Sequence, residues 1–131
     1  MPHVRIDYSP NIGGGAHMDA LCQAMLHGLL ALRGADRNAI VPAAGTRVFA
    51  YPAAHAAVGP GDEDRGFLYV NLRVTPGRTQ DALAQIGAAV QHALTQHFQH
   101  YPPLVACRFT IHIDEGRPVF EGKGELLAED K

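Results

Sequence analysis

The sequence predicts an α+β fold in which one four-stranded sheet carries two helices on one face. Short segments that alternate apolar and polar residues are separated by two longer segments with helical spacing. Their order is β-α-β followed by a second β-α-β. Because strands joined through a helix pair in parallel with a fixed handedness, each half is expected to form one crossover unit. A chain of this length predicts a single domain over residues 1–131.

The first half of the chain predicts a strand, a helix and a short second strand. HVRIDYS at residues 3–9 alternates, with Val4 and Ile6 on one face. A helix is predicted over residues 16–34, which end in a glycine stop. Its apolar stripe consists of Met18, Leu21, Met25, Leu29 and Leu32. TRVFAY at residues 46–51 is a short alternating strand, and the segment after it is rich in Pro and Gly.

The second half repeats this order. FLYVNLRV at residues 67–74 alternates strictly, and the helix predicted over residues 78–100 has the strongest periodicity in the chain. Thr79 is the predicted N-cap of that helix. The helical stripe consists of Leu83, Ile86, Val90, Leu94 and Phe98. ACRFTIHID at residues 106–114 is the last predicted strand, and a tail follows it.

The composition excludes several classes of protein. The chain has 131 residues, of which 47% are hydrophobic and 18% charged, and its net charge is -2. It has no basic block and no basic patch with interleaved aromatics, so we expect no nucleic-acid partner. Its apolar stretches are interrupted by polar residues and it begins without a secretory signal, so we expect no membrane segment and a cytoplasmic location.

The histidines do not predict a metal site. His97 and His100 lie three positions apart at the end of the second helix. No cysteine or carboxylate stands near them in the sequence to complete a ligand set. We therefore expect a solvated helix end and no bound metal.

A proline follows the initiator methionine at the start of the first strand. One explanation is structural, because the first residue of a strand tolerates the missing N–H of proline. The other begins with removal of Met1, which is expected when a small residue follows it. Pro2 would then carry a free secondary amine that can act as a base. The residues alone leave both explanations open.

Four stretches of the sequence carry a family resemblance. They are the opening MPHVRIDYSPNI, then TRVFAY, then NLRVTPGRTQDALAQIG with its Gly77-Arg78 pair, and finally FTIHIDEGRPVF. In this order and spacing, over nearly the whole chain, they resemble the tautomerase superfamily and within it the 5-carboxymethyl-2-hydroxymuconate delta-isomerase family. The resemblance implies the β-α-β-β-α-β tautomerase fold, which is also that of macrophage migration inhibitory factor.

The resemblance implies an isomerase that uses Pro2 as general base and acid. Its substrate would be a 2-hydroxymuconate-type dienol, converted to the 2-oxo isomer during the degradation of aromatic compounds. No cofactor is expected, because conjugation in the substrate stabilises the dienolate. The resemblance also implies a homotrimer, and the strands are apolar enough that association through the sheet face without helices is expected on physical grounds as well.

A carboxylate substrate requires cationic side chains. Arg78 lies at the start of the second helix, where free N–H groups and the helix dipole favour an anion, so it is the first candidate. Arg47 is the second candidate. His3 is next to Pro2 and is a candidate to orient or tune it.

The chain departs from the family pattern at one position. The family carries two arginines that bracket one residue before its second strand; Arg47 matches the second, and the first falls on Gly45. The missing charge could come from Arg47 itself or from another arginine, namely Arg37, Arg73 or Arg117. The preferred substrate could also carry fewer carboxylates.

Three alternatives to this function stay open. A tautomerase of the same fold could act on a less charged enol such as that of phenylpyruvate. A trimeric protein of this fold could bind ligands without catalysis. The same strand order also fits a ferredoxin-like binding or regulatory module.

Overall fold

The computed structural model describes residues 2–61 and 64–129. In this part of the chain the α-helices and strands are β1 (His3–Tyr8), α1 (Met18–Leu30), β2 (Arg47–Pro52), β3 (Gly66–Val74), α2 (Gln80–His100) and β4 (Cys107–Glu115). The predicted element order is confirmed. Met1, which we expect to be removed, lies outside the described residues.

The sheet has the strand order β2-β1-β3-β4 in the described residues. β1 pairs in parallel with β2, and β3 pairs in parallel with β4. The two crossover units meet in the middle of the sheet, where β1 and β3 are antiparallel. The predicted α+β class with a four-stranded sheet is therefore confirmed.

The core lies between the helices and one face of the sheet. Alternation in β1 and β3 turns their apolar side chains toward the helices, where Val4, Ile6, Leu68, Val70 and Leu72 are buried. The helices contribute Leu21, Met25, Leu29, Ile86, Val90 and Leu94. Removing this apolar surface from water is the main favourable contribution to folding.

The first helix is shorter than the predicted residues 16–34. At its start, His17 has left-handed backbone angles, φ 50° and ψ 58°, which stop the helix from extending toward the N-terminus. At its end, the backbone turns away after Ala31. The Leu32 carbonyl accepts a hydrogen bond from the Ile40 N–H at 3.3 Å, and Arg33 forms a β-bridge with Ala39. The last apolar residue of the predicted stripe, Leu32, thus belongs to a loop.

The second helix begins where the sequence predicts. The Thr79 hydroxyl accepts a hydrogen bond from the Ala82 N–H at 3.1 Å and caps the helix. At the other end, the expectation of a solvated helix end is wrong for His97. That residue is buried and hydrogen bonds through Nε2 to the Ala16 carbonyl, because helical spacing places it on the same face as Leu94. His100 is exposed, as expected.

The sheet face without helices is mixed in character. Arg5 forms an ion pair with Asp7 at 3.2 Å, and its guanidinium lies 4.5 Å from the ring centroid of Tyr51. Further along, Asn71 donates a hydrogen bond to Asp114. The apolar surface expected from the strand sequences is therefore present only in part, because the second set of alternating positions holds charged as well as aromatic residues.

A tail follows β4 and contains no helix or strand over residues 116–129. Its large hydrophobic side chains, Val119, Phe120, Leu126 and Leu127, are exposed in the described chain. Within that part of the chain, neither helix is both long and apolar enough to cross a membrane.

Candidate functional site

Strand register places Arg47, His3 and Arg73 in one row across the sheet. His3 on β1 is paired with Arg47 on β2 and with Arg73 on β3. Residues that are paired across strands point to the same face, which here is the face without helices. The row lies at the end of the sheet where β1 and β2 begin and β3 and β4 end.

A cavity of about 250 Å³ opens at this end of the sheet. The row of His3, Arg47 and Arg73 forms one side of it. The end of β3 and the tail supply the rest of the lining, with Val74, Thr75, Gly116, Pro118, Glu121, Gly122 and Lys123. Lys123 pairs with Glu121 at 3.1 Å. Strand ends and tail residues thus enclose a basic cavity.

Arg47 is held by two hydrogen bonds to neutral acceptors. Its Nε donates to Nδ1 of His3 at 2.8 Å, and its Nη1 donates to the Gly45 carbonyl at 2.7 Å. Burial, followed by the charges of Arg47 and Arg5, lowers the pKa of His3 below its ordinary value. His3 is therefore neutral near pH 7 and accepts at Nδ1, so neither acceptor of Arg47 is an anion.

Arg73 packs against a glycine. A methyl group added at Gly116 would lie 2.2 Å from Nη2 and 2.3 Å from Cζ of Arg73, so the guanidinium occupies the space that a side chain would need. Sequence reasoning assigned Arg73 no role beyond naming it as one possible source of charge. Alternation in β3 indicated its face, but its neighbours depend on strand register, which the sequence does not show.

Pro2 lies directly before the row. It is buried, and its carbonyl accepts a hydrogen bond from the Arg47 N–H at 3.3 Å. It is not among the described residues that line the cavity, whereas the adjacent His3 is. The structure thus places Pro2 at the same end of the sheet as the cavity.

Arg78 lies at the margin of the cavity. It is half-buried, and its Nη1 donates to the Thr75 carbonyl at 3.1 Å. Thr75 lines the cavity, whereas Arg78 is not among its described lining residues. The loop that carries Arg78 is attached to β4, because the Gly77 N–H donates to Oε2 of Glu115 at 3.2 Å. The structure therefore brings Arg47 and His3 together in the cavity lining. Arg78 contacts the lining residue Thr75 but is not itself among the described lining residues.

A second, larger cavity of about 530 Å³ lies at the opposite end of the sheet, where β3 and β4 begin. No predicted site residue is among its lining residues in the described chain. Across residues 2–61 and 64–129, no group of three or more His, Cys, Asp or Glu side chains is arranged to hold a metal ion. Of the predicted site residues, His3 and Arg47 thus line the cavity at the arginine row, and Pro2 and Arg78 do not.

Comparison with known proteins supports a family assignment. A sequence model of the 5-carboxymethyl-2-hydroxymuconate isomerase family matches residues 2–128. A solved structure of a 5-carboxymethyl-2-hydroxymuconate delta-isomerase is similar with a TM-score of 0.89 and 30% identity, over 95% of this chain and 89% of that one. A 5-carboxymethyl-2-hydroxymuconate isomerase from Deinococcus radiodurans R1 is similar with a TM-score of 0.79 and 24% identity, over 94% and 88% of the two chains.

More distant structures share the fold alone. One is a fused 4-OT symmetric trimer, with a TM-score of 0.56 and 18% identity over 86% of this chain and 85% of that one. No curated protein matches this chain. The architecture is that of the tautomerase fold. Because the family model covers nearly the whole sequence, the chain belongs to the 5-carboxymethyl-2-hydroxymuconate isomerase family of enzymes.

Proposed function

We propose that this chain is a tautomerase that converts a 2-hydroxymuconate-type dienol to its 2-oxo isomer during the degradation of aromatic compounds. The neutral amine of Pro2, freed by removal of Met1, takes the proton of the enol hydroxyl. The oxygen becomes a carbonyl as the electrons of the conjugated system shift. The protonated amine then returns a proton to a distal carbon of that system. The observation that carries this proposal is the basic cavity next to Pro2 in a chain of this family.

The surroundings of Pro2 favour a neutral amine. An α-amino group ordinarily has a pKa near 8. Pro2 is buried, and desolvation disfavours the ammonium form. We expect its pKa to fall toward neutrality, where a general base is most efficient.

The cationic side chains supply carboxylate binding in this proposal. Arg47 lines the cavity and binds one carboxylate, while His3 orients Arg47 through the hydrogen bond at Nδ1. Arg78 contributes from the margin of the cavity, next to the Thr75 carbonyl. No cofactor takes part, since conjugation in the substrate stabilises the developing dienolate.

We also propose that the protein is a homotrimer. Phe49 and Tyr51 are 46% and 42% exposed on the sheet face without helices, and the tail adds further exposed hydrophobic side chains. Large exposed apolar side chains that cluster on one surface are typical of an interface. The fused 4-OT structure with the same fold is a symmetric trimer, which is consistent with this proposal.

An ultraviolet assay of dienol ketonisation tests the function. Wild type with Met1 removed, verified by intact mass, should accelerate ketonisation. Pro2→Ala should lower kcat about 100-fold or more, the scale of general acid–base catalysis. Pro52→Ala, at the far end of the β1–β2 pair, is the matched control and should keep wild-type activity.

Two outcomes would contradict the proposal. Wild type that does not exceed the solvent rate would favour a non-catalytic binding protein. Protein that retains Met1 and is fully active would show that Pro2 is not the base.

The same assay with enolised phenylpyruvate tests the alternative of a less charged substrate. The absence of a cationic side chain at Gly45 favours that alternative.

A further inference from the structure

We propose that Arg73 is the second carboxylate-binding residue of this cavity, in place of the arginine that Gly45 lacks. Arg47 and Arg73 would then bind the two ends of a dicarboxylate. The choice of a dicarboxylate as substrate class rests on the proposed function. The site itself is argued from the geometry of the row.

The spacing of the row fits a ligand with two anionic ends. Arg47 on β2 and Arg73 on β3 flank the same residue, His3. Because neighbouring strands are about 4.8 Å apart, the two arginine Cα atoms are roughly 10 Å apart. Two guanidinium groups that extend into one cavity from this distance can bind carboxylates at opposite ends of an unbranched diacid.

The Arg73 guanidinium makes no ion pair in the described part of the chain. Among residues 2–61 and 64–129, no hydrogen bond or ion pair engages its guanidinium, although carboxylates lie nearby in the sheet. Asp114 is its partner on β4 but accepts from Nδ2 of Asn71 at 2.6 Å. Glu115 accepts from the Gly77 N–H. An anion that enters the cavity thus finds an arginine with its donors available.

The acidic residue of the tail that lines the cavity is also engaged elsewhere. Glu121 pairs with Lys123 at 3.1 Å, and Arg47 bonds only to neutral acceptors among the described residues. The described lining of the cavity therefore carries three cationic side chains, Arg47, Arg73 and Lys123, against one carboxylate, that of Glu121. Charge-assisted hydrogen bonds from arginine to carboxylate are among the stronger ones and are frequently bidentate, which favours a ligand with two carboxylates.

Gly116 gives this proposal a test that leaves the charge unchanged. A methyl group at this position would overlap the Arg73 guanidinium, at 2.2 Å from Nη2. Because the far end of an arginine side chain is flexible, Gly116→Ala should move the guanidinium rather than disrupt the backbone. A role for Arg73 that depends on position predicts that Gly116→Ala acts in the same direction as Arg73→Ala.

Calorimetric titration of the full-length protein provides the measurement. The probes are adipate, which has two carboxylates, and hexanoate, which has one. Arg73→Ala should weaken adipate binding about 10- to 100-fold, the scale for hydrogen bonds to charged groups, and should change hexanoate binding by less than about twofold. Gly116→Ala should weaken adipate binding, and Arg73→Lys should weaken it less than Arg73→Ala. Arg108→Ala is the matched control, since Arg108 lies on the same face at the other end of β4 and does not line this cavity.

The proposal is overturned if Arg73→Ala binds adipate as tightly as wild type does. It is also overturned if wild type shows no preference for adipate over hexanoate, or if the variant loses both ligands equally. Adipate cannot tautomerise, so this result does not depend on Pro2. Arg73-dependent adipate binding without ketonisation would refute the proposed function alone, whereas ketonisation without Arg73-dependent binding would refute this inference alone.

Discussion

Nε of Arg47 donates a 2.8 Å hydrogen bond to Nδ1 of His3, its paired residue on the neighbouring strand. Arginine is always a donor, so His3 must be unprotonated at Nδ1 for this bond to form. The two residues depend on each other: Arg47 helps to keep His3 neutral, and neutral His3 fixes the direction of the guanidinium.

This relationship predicts a pH-dependent contact. The fold favours neutral His3, so its pKa is lower than the ordinary value of about 6.5. The contact is complete above pH 6.5 and is lost as the pH falls through the lowered pKa. An NMR titration of the His3 ring should show this pKa below 6.5 in wild type and closer to 6.5 in Arg47→Ala. A pKa that is unchanged or falls further in Arg47→Ala would contradict the prediction.

Charge recognition should depend more on Arg47 than on Arg78. Arg47 lines the cavity, whereas Arg78 bonds to the Thr75 carbonyl at its margin. Arg47→Ala should cost about 2–4 kcal/mol of transition-state stabilisation, a factor of about 30 to 1,000 in kcat/KM for a dicarboxylate dienol. Arg78→Ala should cost less, and Arg78→Lys should recover part of that loss.

Steady-state kinetics with a dicarboxylate dienol and enolised phenylpyruvate would measure both effects. Each arginine substitution should matter less for the monocarboxylate. A larger loss from Arg78→Ala than from Arg47→Ala would place charge recognition at the start of α2. Equal turnover by all variants would rule out a multiply charged substrate.

The cap of the second helix should contribute to stability. Thr79→Ala removes the hydroxyl that accepts from the Ala82 N–H and should lower the free energy of unfolding by about 1 kcal/mol. Thr95→Ala is the control, because the Thr95 hydroxyl bonds only to carbonyls of its own helix, at Gln91 and His92. Urea unfolding should show Thr95→Ala close to wild type. Equal destabilisation by both variants would show that the cap contributes nothing specific.

The tail should contribute to assembly. Light scattering should give about three times the chain mass for wild type, as the proposed homotrimer requires. Phe120→Ser combined with Leu127→Ser removes exposed apolar surface from the tail and should raise the dissociation concentration at least about tenfold. Leu104→Ser, at an exposed position outside the tail, should keep the wild-type mass at every concentration tested. Wild type that is monomeric at micromolar concentration would refute the homotrimer.

The secondary structure could largely be predicted from the sequence, because its signals are local. Strict alternation in β3 and the helical stripe of α2 produced elements close to the predicted bounds, and Thr79 caps the helix as expected. The first helix was predicted too long, since its stripe continued into a loop whose turn depends on backbone pairing between Leu32 and Ile40.

The site could be predicted only in part, because it depends on residues that are distant in the sequence. Motifs marked Pro2, His3 and Arg47, and register then placed the last two in contact. The sequence indicates Arg73 only as one of three further arginines that could supply the charge, since its position beside His3 follows from the antiparallel pairing of β1 with β3. The close approach of its guanidinium to Gly116 depends on the path of the tail, which has no periodic signal.

The row formed by Arg47, His3 and Arg73 determines where the chain can change in length. Side chains alternate along a strand, so one residue inserted into β3 before Arg73 would turn that side chain to the helix-covered face. The loop after β2, at residues 53–61, leads away from the opposite end of the sheet. Insertions there leave the row in place. Relatives that share this chemistry should therefore vary in length at that loop and keep constant strand lengths beside the cavity.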